Sequence, residues 1–233
     1  MSSKTYPSLN LENELWARGA RFVIGMDEVG RGAIAGPVAV GVAIVDRKDP
    51  KSEMPWPAKL CDSKLISEKV RVEIVDEVAA WVVASAVGMV PASKIDSHGI
   101  VDSLATAGAL ALAQVLEDQT LRQEIIADGA VIILDGSHNW IGPKASGIEV
   151  MVRTKADRDC VSVAAASVIA KVARDNLMIN LAKTLPAYGL EGHKGYASAK
   201  HIAAIREQGP SSEHRITWLT KILAGGETAG SEE

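Results

Sequence analysis

Cysteine is nearly absent from this chain: only Cys61 and Cys160 occur, far apart in 233 residues. Such a pair excludes a disulfide framework and a multi-cysteine zinc site, and both thiols are expected to be reduced and structural. Aromatic residues are scarce too, with Phe22 the single phenylalanine, which leaves the core to Val, Ile, Leu and Ala. No apolar run is long and clean enough to span a bilayer. The N-terminal MSSKTYPSLNLENELWARG lacks a basic region followed by an apolar one. A cytoplasmic protein without a membrane partner is expected. The five histidines show no ligand spacing, so His193, His201 and His214 are expected in structural or substrate-side roles. A strong charge imbalance is also missing. The formal net charge is −4, and the terminal GGETAGSEE contributes three acids and no base. A nucleic-acid partner would have to be met by local basic patches.

What is present is a globular composition, 47% hydrophobic. RFVIGM (residues 21–26) and the valine-rich VAVGVAIV (38–45) suit buried strands. A charged, proline-containing loop separates the latter from an amphipathic helix that starts at Ser67. Residues 82–90 return to strand composition, and 93–119 read as helical with a break at Gly99. Short strands follow at 131–134 and 148–153, then a long alanine-rich helix over 161–183 that Pro186 and Gly189 stop. Helices near 198–208 and 214–223 complete the chain. The expected domain organisation is an extension over 1–20, a main domain over 21–185, a helical region over 186–224 and a disordered acidic tail over 225–233. Strands interleaved with helices define an α/β fold, a mixed sheet flanked by helices.

The chemistry concentrates in GMDEVGRGAIAGP. Asp27 and Glu28 stand directly before Gly30-Arg31-Gly32, placing cation-attracting carboxylates beside glycines that let a ligand approach the backbone and an arginine that can grip a phosphate. A second strand ends in Asp135-Gly136, and KADRD supplies Asp157 and Asp159 before the long helix. Each acid alone also suits a turn or a helix start. Their convergence at one sheet edge would imply divalent cations, because clustered carboxylates repel and two such ions neutralise them. Oxygen-only ligands favour Mg²⁺ or Mn²⁺. Adjacent residues on a strand face opposite ways, so Asp27 and Glu28 are expected to share a site through a bend made by Gly25 and Gly30. The spacing of Gly30, Gly32 and Gly36 misses the dinucleotide fingerprint and precedes a strand, which argues against a nucleotide-binding oxidoreductase.

GMDEVGRGAIAGPV, CDSKLISEK, ILDG, KADRDCVSVAAASVIAKVARD and GHKGYASAKHIAAIREQGPSSEHR occur in this order from about Arg21 to Trp218. Together they resemble bacterial ribonuclease HII. The resemblance implies an RNase H-like fold with a C-terminal helical region, and hydrolysis of RNA in RNA/DNA hybrids and at single ribonucleotides in duplex DNA. It further implies two Mg²⁺ or Mn²⁺ ions held by Asp27, Glu28, Asp135 and Asp157, with Asp159 the alternative fourth ligand. Here Lys155-Ala156 replaces the family's Lys-Gly pair. Gly30, Arg31 and Gly32 would contact the 2′-hydroxyl and adjoining phosphate, and the Tyr196 ring would pack on the next sugar. Lys64, Lys171, Arg174 and Lys194 would belong to the nucleic-acid face. A monomer is expected, with any replication or repair protein partner of the tail left open. Two rivals are weighed: type 3 ribonuclease H, expected to need an added N-terminal domain and no Gly-Arg-Gly, and a hybrid-binding protein that has lost an acid.

Overall fold

The two apolar runs pair with each other and build the centre of a mixed sheet. In the computed structural model, which describes residues 6–61 and 63–223, β1 (Phe22–Val29) lies antiparallel to β2 (Val38–Asp46), and β2 antiparallel to β3 (Ala84–Val90). On its other side β1 is parallel to β4 (Ala130–Asp135), which is parallel to β5 (Glu149–Arg153). The five-stranded order is β3-β2-β1-β4-β5. Every residue of β2 is buried, as a central strand covered on both faces requires.

Side chains alternate between two helical layers. Phe22, Ile24 and Met26 enter a cluster with Leu104, Ala107 and Leu112 of α4 (Ile100–Val115), which follows α3 (Ala92–His98). Val23, Val45 and Ile133 face the opposite layer, formed by α7 (Val161–Thr184) and α2 (Glu68–Trp81). On that side Gly25 lets helix and sheet touch closely: a Cβ there would overlap the backbone of Ser162 and Val163. The expected helix from Ser67 is present as α2, with the Ser67 hydroxyl capping Val70 N–H. The expected strands and the long helix appear within a few residues of their sequence bounds.

Two elements were not anticipated. Gln119–Asp128 forms α5, in a stretch that the sequence pattern leaves unassigned, started by the Asp118 carboxylate, which accepts from the amides of Thr120 and Leu121. Asn10–Ala17 forms α1, and its Leu15 and Trp16 enter the core. Its Glu12 is fully buried and accepts from the amide (2.9 Å) and hydroxyl (2.8 Å) of Ser162 in the first turn of α7. Residues 10–17 therefore pack against the folded unit. After β5 come the short α6 (Ala156–Asp159), α7, α8 (Leu190–His193), α9 (Ala199–Gln208) and α10 (Ile216–Leu223). The last three pack on the end of α7 around Met178, Tyr188, Leu190, Ile205 and Leu219. No single helix among the described residues is long and apolar enough to cross a membrane. The expected tail, 225–233, lies outside them.

Candidate active site

Asp27 and Asp135 stand at the carboxyl ends of neighbouring parallel strands, where α/β sheets present their sites. The anticipated bend is absent. β1 stays in register with β2 through Asp27↔Gly41, Glu28↔Val40 and Val29↔Ala39. Pairing with β4 instead ends at Met26↔Leu134. From Asp27 onward the β4 side of β1 carries no strand partner, and the two acids flank that edge from opposite faces. Asp27 points to α7, buried, and bonds the Ser167 hydroxyl, which meets Ser63 Oγ at 2.8 Å. Glu28, on the α4 side, is half-buried and pairs with Arg31 (Oε1–Nη1 3.3 Å).

Asp135 Oδ1 accepts from the amide of Ala156 at 2.7 Å, which sets the start of α6 against the end of β4. That contact explains how alanine serves at this position: Ala156 is helical and buried, while the turn falls on Lys155, left-handed with φ 63°. Asp157 is buried, with the Lys64 ammonium 3.0 Å from its Oδ2. Burial pushes the Asp27 carboxyl well above its ordinary range, and the charges of Asp135, Glu28 and Asp157 push it further. Burial also raises Glu28, with Asp135 adding to the shift. Asp135 is raised by burial and then by Asp157. The four acids thus form one electrostatic unit. Asp159 does not join it: its carboxylate is held by Arg153 (3.0 Å) and Arg158 (3.0 Å), which bring it below the ordinary range despite burial.

The glycine-arginine-glycine loop follows β1 directly. Gly30 takes φ 79°, and a Cβ there would overlap the guanidinium of Arg174, so glycine is required twice over. Arg31 and Gly32 are exposed. Two buried arginines hold the loop from behind. Arg174 donates to the carbonyls of Pro37 (2.8 Å), Lys194 (3.0 Å) and Ala35 (3.2 Å). Arg215 donates to those of Gly30 (2.7 Å), Arg31 (2.8 Å) and Gly36 (3.2 Å). The Gly195 carbonyl accepts from the amides of Ile34 and Ala35. The turn before Tyr196 is thereby fastened to the loop, and the Tyr196 ring stays exposed, with the Arg174 guanidinium 5.7 Å from its centroid.

These contacts engage three of the residues expected on the nucleic-acid face with groups of the protein itself. Arg174 is fully buried and all its bonds go to protein carbonyls, so it is a scaffold residue. Lys194 is buried, with its ammonium on Glu68 and the Glu191 carbonyl. Lys171 is largely covered and pairs with Asp175 at 2.7 Å. Among the described residues, Lys64 and Arg31 are basic side chains that pair with acids of the cluster. Arg215 escaped the sequence reading; in EHR it stands two residues from Glu213, and nothing local signals that its partners are backbone carbonyls about 180 positions earlier.

The donor set is all carboxylate oxygen, the hard ligands that Mg²⁺ and Mn²⁺ take. Among the described residues no group of three or more His, Cys, Asp or Glu side chains is gathered closely enough to hold an ion. Lys64 and Arg31 instead lie against Asp157 and Glu28. The acids nevertheless fit cations electrostatically, since three of them are raised by burial and by one another.

A mixed sheet with acids at its edge, flanked by these helices, matches solved ribonucleases H. The ribonuclease H2 of Pyrococcus horikoshii OT3 superposes with a TM-score of 0.67 at 25% identity, covering 87% of this chain and 97% of that one. Bst-RNase HIII in complex with Mn²⁺ gives 0.65 at 23% identity, covering 88% and 70%. The class is therefore a ribonuclease H. Within it, residues 24–221 match the Ribonuclease HII family model, and the ribonuclease HII of Streptomyces avermitilis is 39% identical over 213 residues, 91% of this chain and 83% of that relative. The chain belongs to the ribonuclease HII family, enzymes that cleave the RNA of RNA/DNA hybrids and use divalent metals.

Proposed function

We propose that the chain is an endonuclease that cuts hybrid RNA and also cleaves on the 5′ side of single ribonucleotides embedded in duplex DNA, a step of ribonucleotide removal in replication and repair. The observation that carries this reading is the mutual electrostatic influence of Asp27, Glu28, Asp135 and Asp157 beside the Gly30–Gly32 loop. The four acids would hold two Mg²⁺ or Mn²⁺ ions, whose positive charge activates water and stabilises the leaving oxygen. Water attacks phosphorus as the bond to the 3′-oxygen breaks, leaving a 3′-hydroxyl and a 5′-phosphate, with no covalent protein intermediate. Asp27 is positioned by Ser167, and Asp135 by the Ala156 amide.

Recognition falls to the backbone. A 2′-hydroxyl both donates and accepts, and the exposed Arg31-Gly32 segment offers amides that no bulky side chain covers at Gly32. Arg31 and Lys64 supply positive charge for the phosphate. The exposed Tyr196 ring packs on the following deoxyribose, where an extra hydroxyl fits poorly, favouring RNA-to-DNA junctions. The enzyme acts as a cytoplasmic monomer on the duplex. The test is a DNA duplex with one internal ribonucleotide, incubated with Mg²⁺, Mn²⁺ or chelator. Cleavage 5′ of the ribonucleotide with metal alone is the expected result; an intact strand from folded protein would overturn the reading.

A further inference from the structure

Behind Tyr196 lie three histidines that the catalytic reading does not use. His201 and His214 are fully buried, and His193 stacks on His201 with centroids 4.1 Å apart. Their hydrogen bonds have a direction that can be read from the backbone. The Ser211 amide, which can only donate, points at His214 Nδ1 at 3.0 Å. A neutral His214 therefore carries its proton on Nε2. That nitrogen faces His201 Nε2 at 3.1 Å, which must accept, leaving the His201 proton on Nδ1. From there it is donated to the Tyr196 carbonyl at 2.9 Å. The Gly195 amide likewise donates to His193 Nδ1 (3.2 Å), so His193 Nε2 donates to the Tyr188 carbonyl (2.8 Å).

The two ends of this relay are the two ends of the recognition surface. His214 precedes Arg215, whose guanidinium holds the carbonyls of Gly30, Arg31 and Gly36. Tyr196 is the exposed ring set against the same loop. We propose that His201 is a positioning residue for junction recognition: through the relay from Ser211 and His214 it fixes the Tyr196 backbone, and so the ring, relative to Gly30-Arg31-Gly32. This inference rests on Tyr196 as a sugar contact. The buried, doubly bonded ring has no other use in the mechanism, and a mere core residue would not need one fixed tautomer to reach a neighbouring carbonyl.

Two measurements test it. In the unaltered protein, ¹⁵N imidazole NMR should show His201 protonated on Nδ1 and His214 and His193 on Nε2; the opposite tautomer at His201 would overturn the relay. In His201→Gln, kcat/KM for a single embedded ribonucleotide should fall relative to an all-RNA hybrid by about tenfold, the equivalent of about 1.4 kcal/mol. Equal loss on both substrates, or no change in their ratio, would defeat the proposal. Should His201→Gln not fold, the NMR assignment still decides. Tyr196→Ala separates the two ideas. If it leaves the ratio unaltered, the sugar-contact reading fails by itself; if it lowers the ratio and adding His201→Gln lowers it further, the relay does not act through Tyr196.

Discussion

Arg174 decides between two physical roles, and replacing it by Met separates them. Its side chain is fully buried and makes three charge-assisted bonds to backbone carbonyls at 2.8, 3.0 and 3.2 Å. Each such bond is worth about 1.5–3 kcal/mol. Removing the guanidinium also returns part of its own desolvation cost, which burial makes large enough to lower its pKa. A net loss of about 3–4 kcal/mol remains once that return is subtracted from the two shorter bonds. For a chain of this size that corresponds to a fall in Tm of roughly 6–16 °C. Circular-dichroism melts and urea titrations read the stability, and hybrid binding between low and moderate salt reads the charge. A scaffold residue leaves the slope of log K against log salt unchanged, whereas a phosphate contact lowers it by about one. An unchanged Tm together with the lower slope would refute the scaffold role.

Asp135→Asn should cut cleavage by more than about a hundredfold, beyond the usual cost of an outer-shell partner, while hybrid binding persists; a near-normal rate would remove Asp135 from the site. Mn²⁺ should raise the Tm of the parent reversibly, and less so in Asp135→Asn; equal shifts would place the ion elsewhere. Gly25→Ala forces a methyl into the Ser162–Val163 backbone and should cost about 1–3 kcal/mol or more of stability, measured by urea unfolding; a neutral substitution would mean that β1 and α7 can separate. Burial lowers His201 to about 4 from 6.5, so in the window between these values the unfolded chain binds the extra proton. Stability from this group is complete above pH 6.5 and lost as pH falls towards 4, by about 2 kcal/mol at pH 5. The urea midpoint of the parent should therefore drop more between pH 7 and pH 5 than that of His201→Gln, and equal drops would contradict the burial effect.

The strands, α2 and α7 were legible because apolar period and end signals agree in each. The acids of the proposed site were legible as candidates because each ends or follows a strand. Less visible was the reach of β1: glycines and charges after Met26 read as a turn, yet pairing with β2 carries the strand through Val29. Tertiary partners overrode local signal there. Burial of Arg174, Arg215 and Lys194 was not legible for a related reason. Basic residues ordinarily stay at the surface; what draws Arg174 and Arg215 inside is a set of carbonyls in the Gly30–Pro37 loop and at Lys194, and Lys194 itself is held by Glu68 and the Glu191 carbonyl, groups that meet only once the loop and the C-terminal helices come together. For α5, the cap at Asp118 follows so closely on α4 that the two helices merge into one pattern.

The same helix supports both halves of the site, and its geometry sets their separation. Ser167 bonds Asp27 at the acid-bearing edge, and Arg174 bonds the loop and the turn before Tyr196. These residues lie seven positions apart on α7, two turns on nearly the same face, hence about 10 Å along the axis. Alanines 164, 165, 166 and 170 pack α7 tightly on the sheet, where Gly25 and Gly41 leave no room for a Cβ. A helix held so closely cannot slide without breaking both contacts at once. On the proposed function, the distance between the cleaved phosphate and the sugar being read is therefore set by a rigid element rather than by the exposed loop, and a cut displaced by a whole nucleotide would require α7 itself to move.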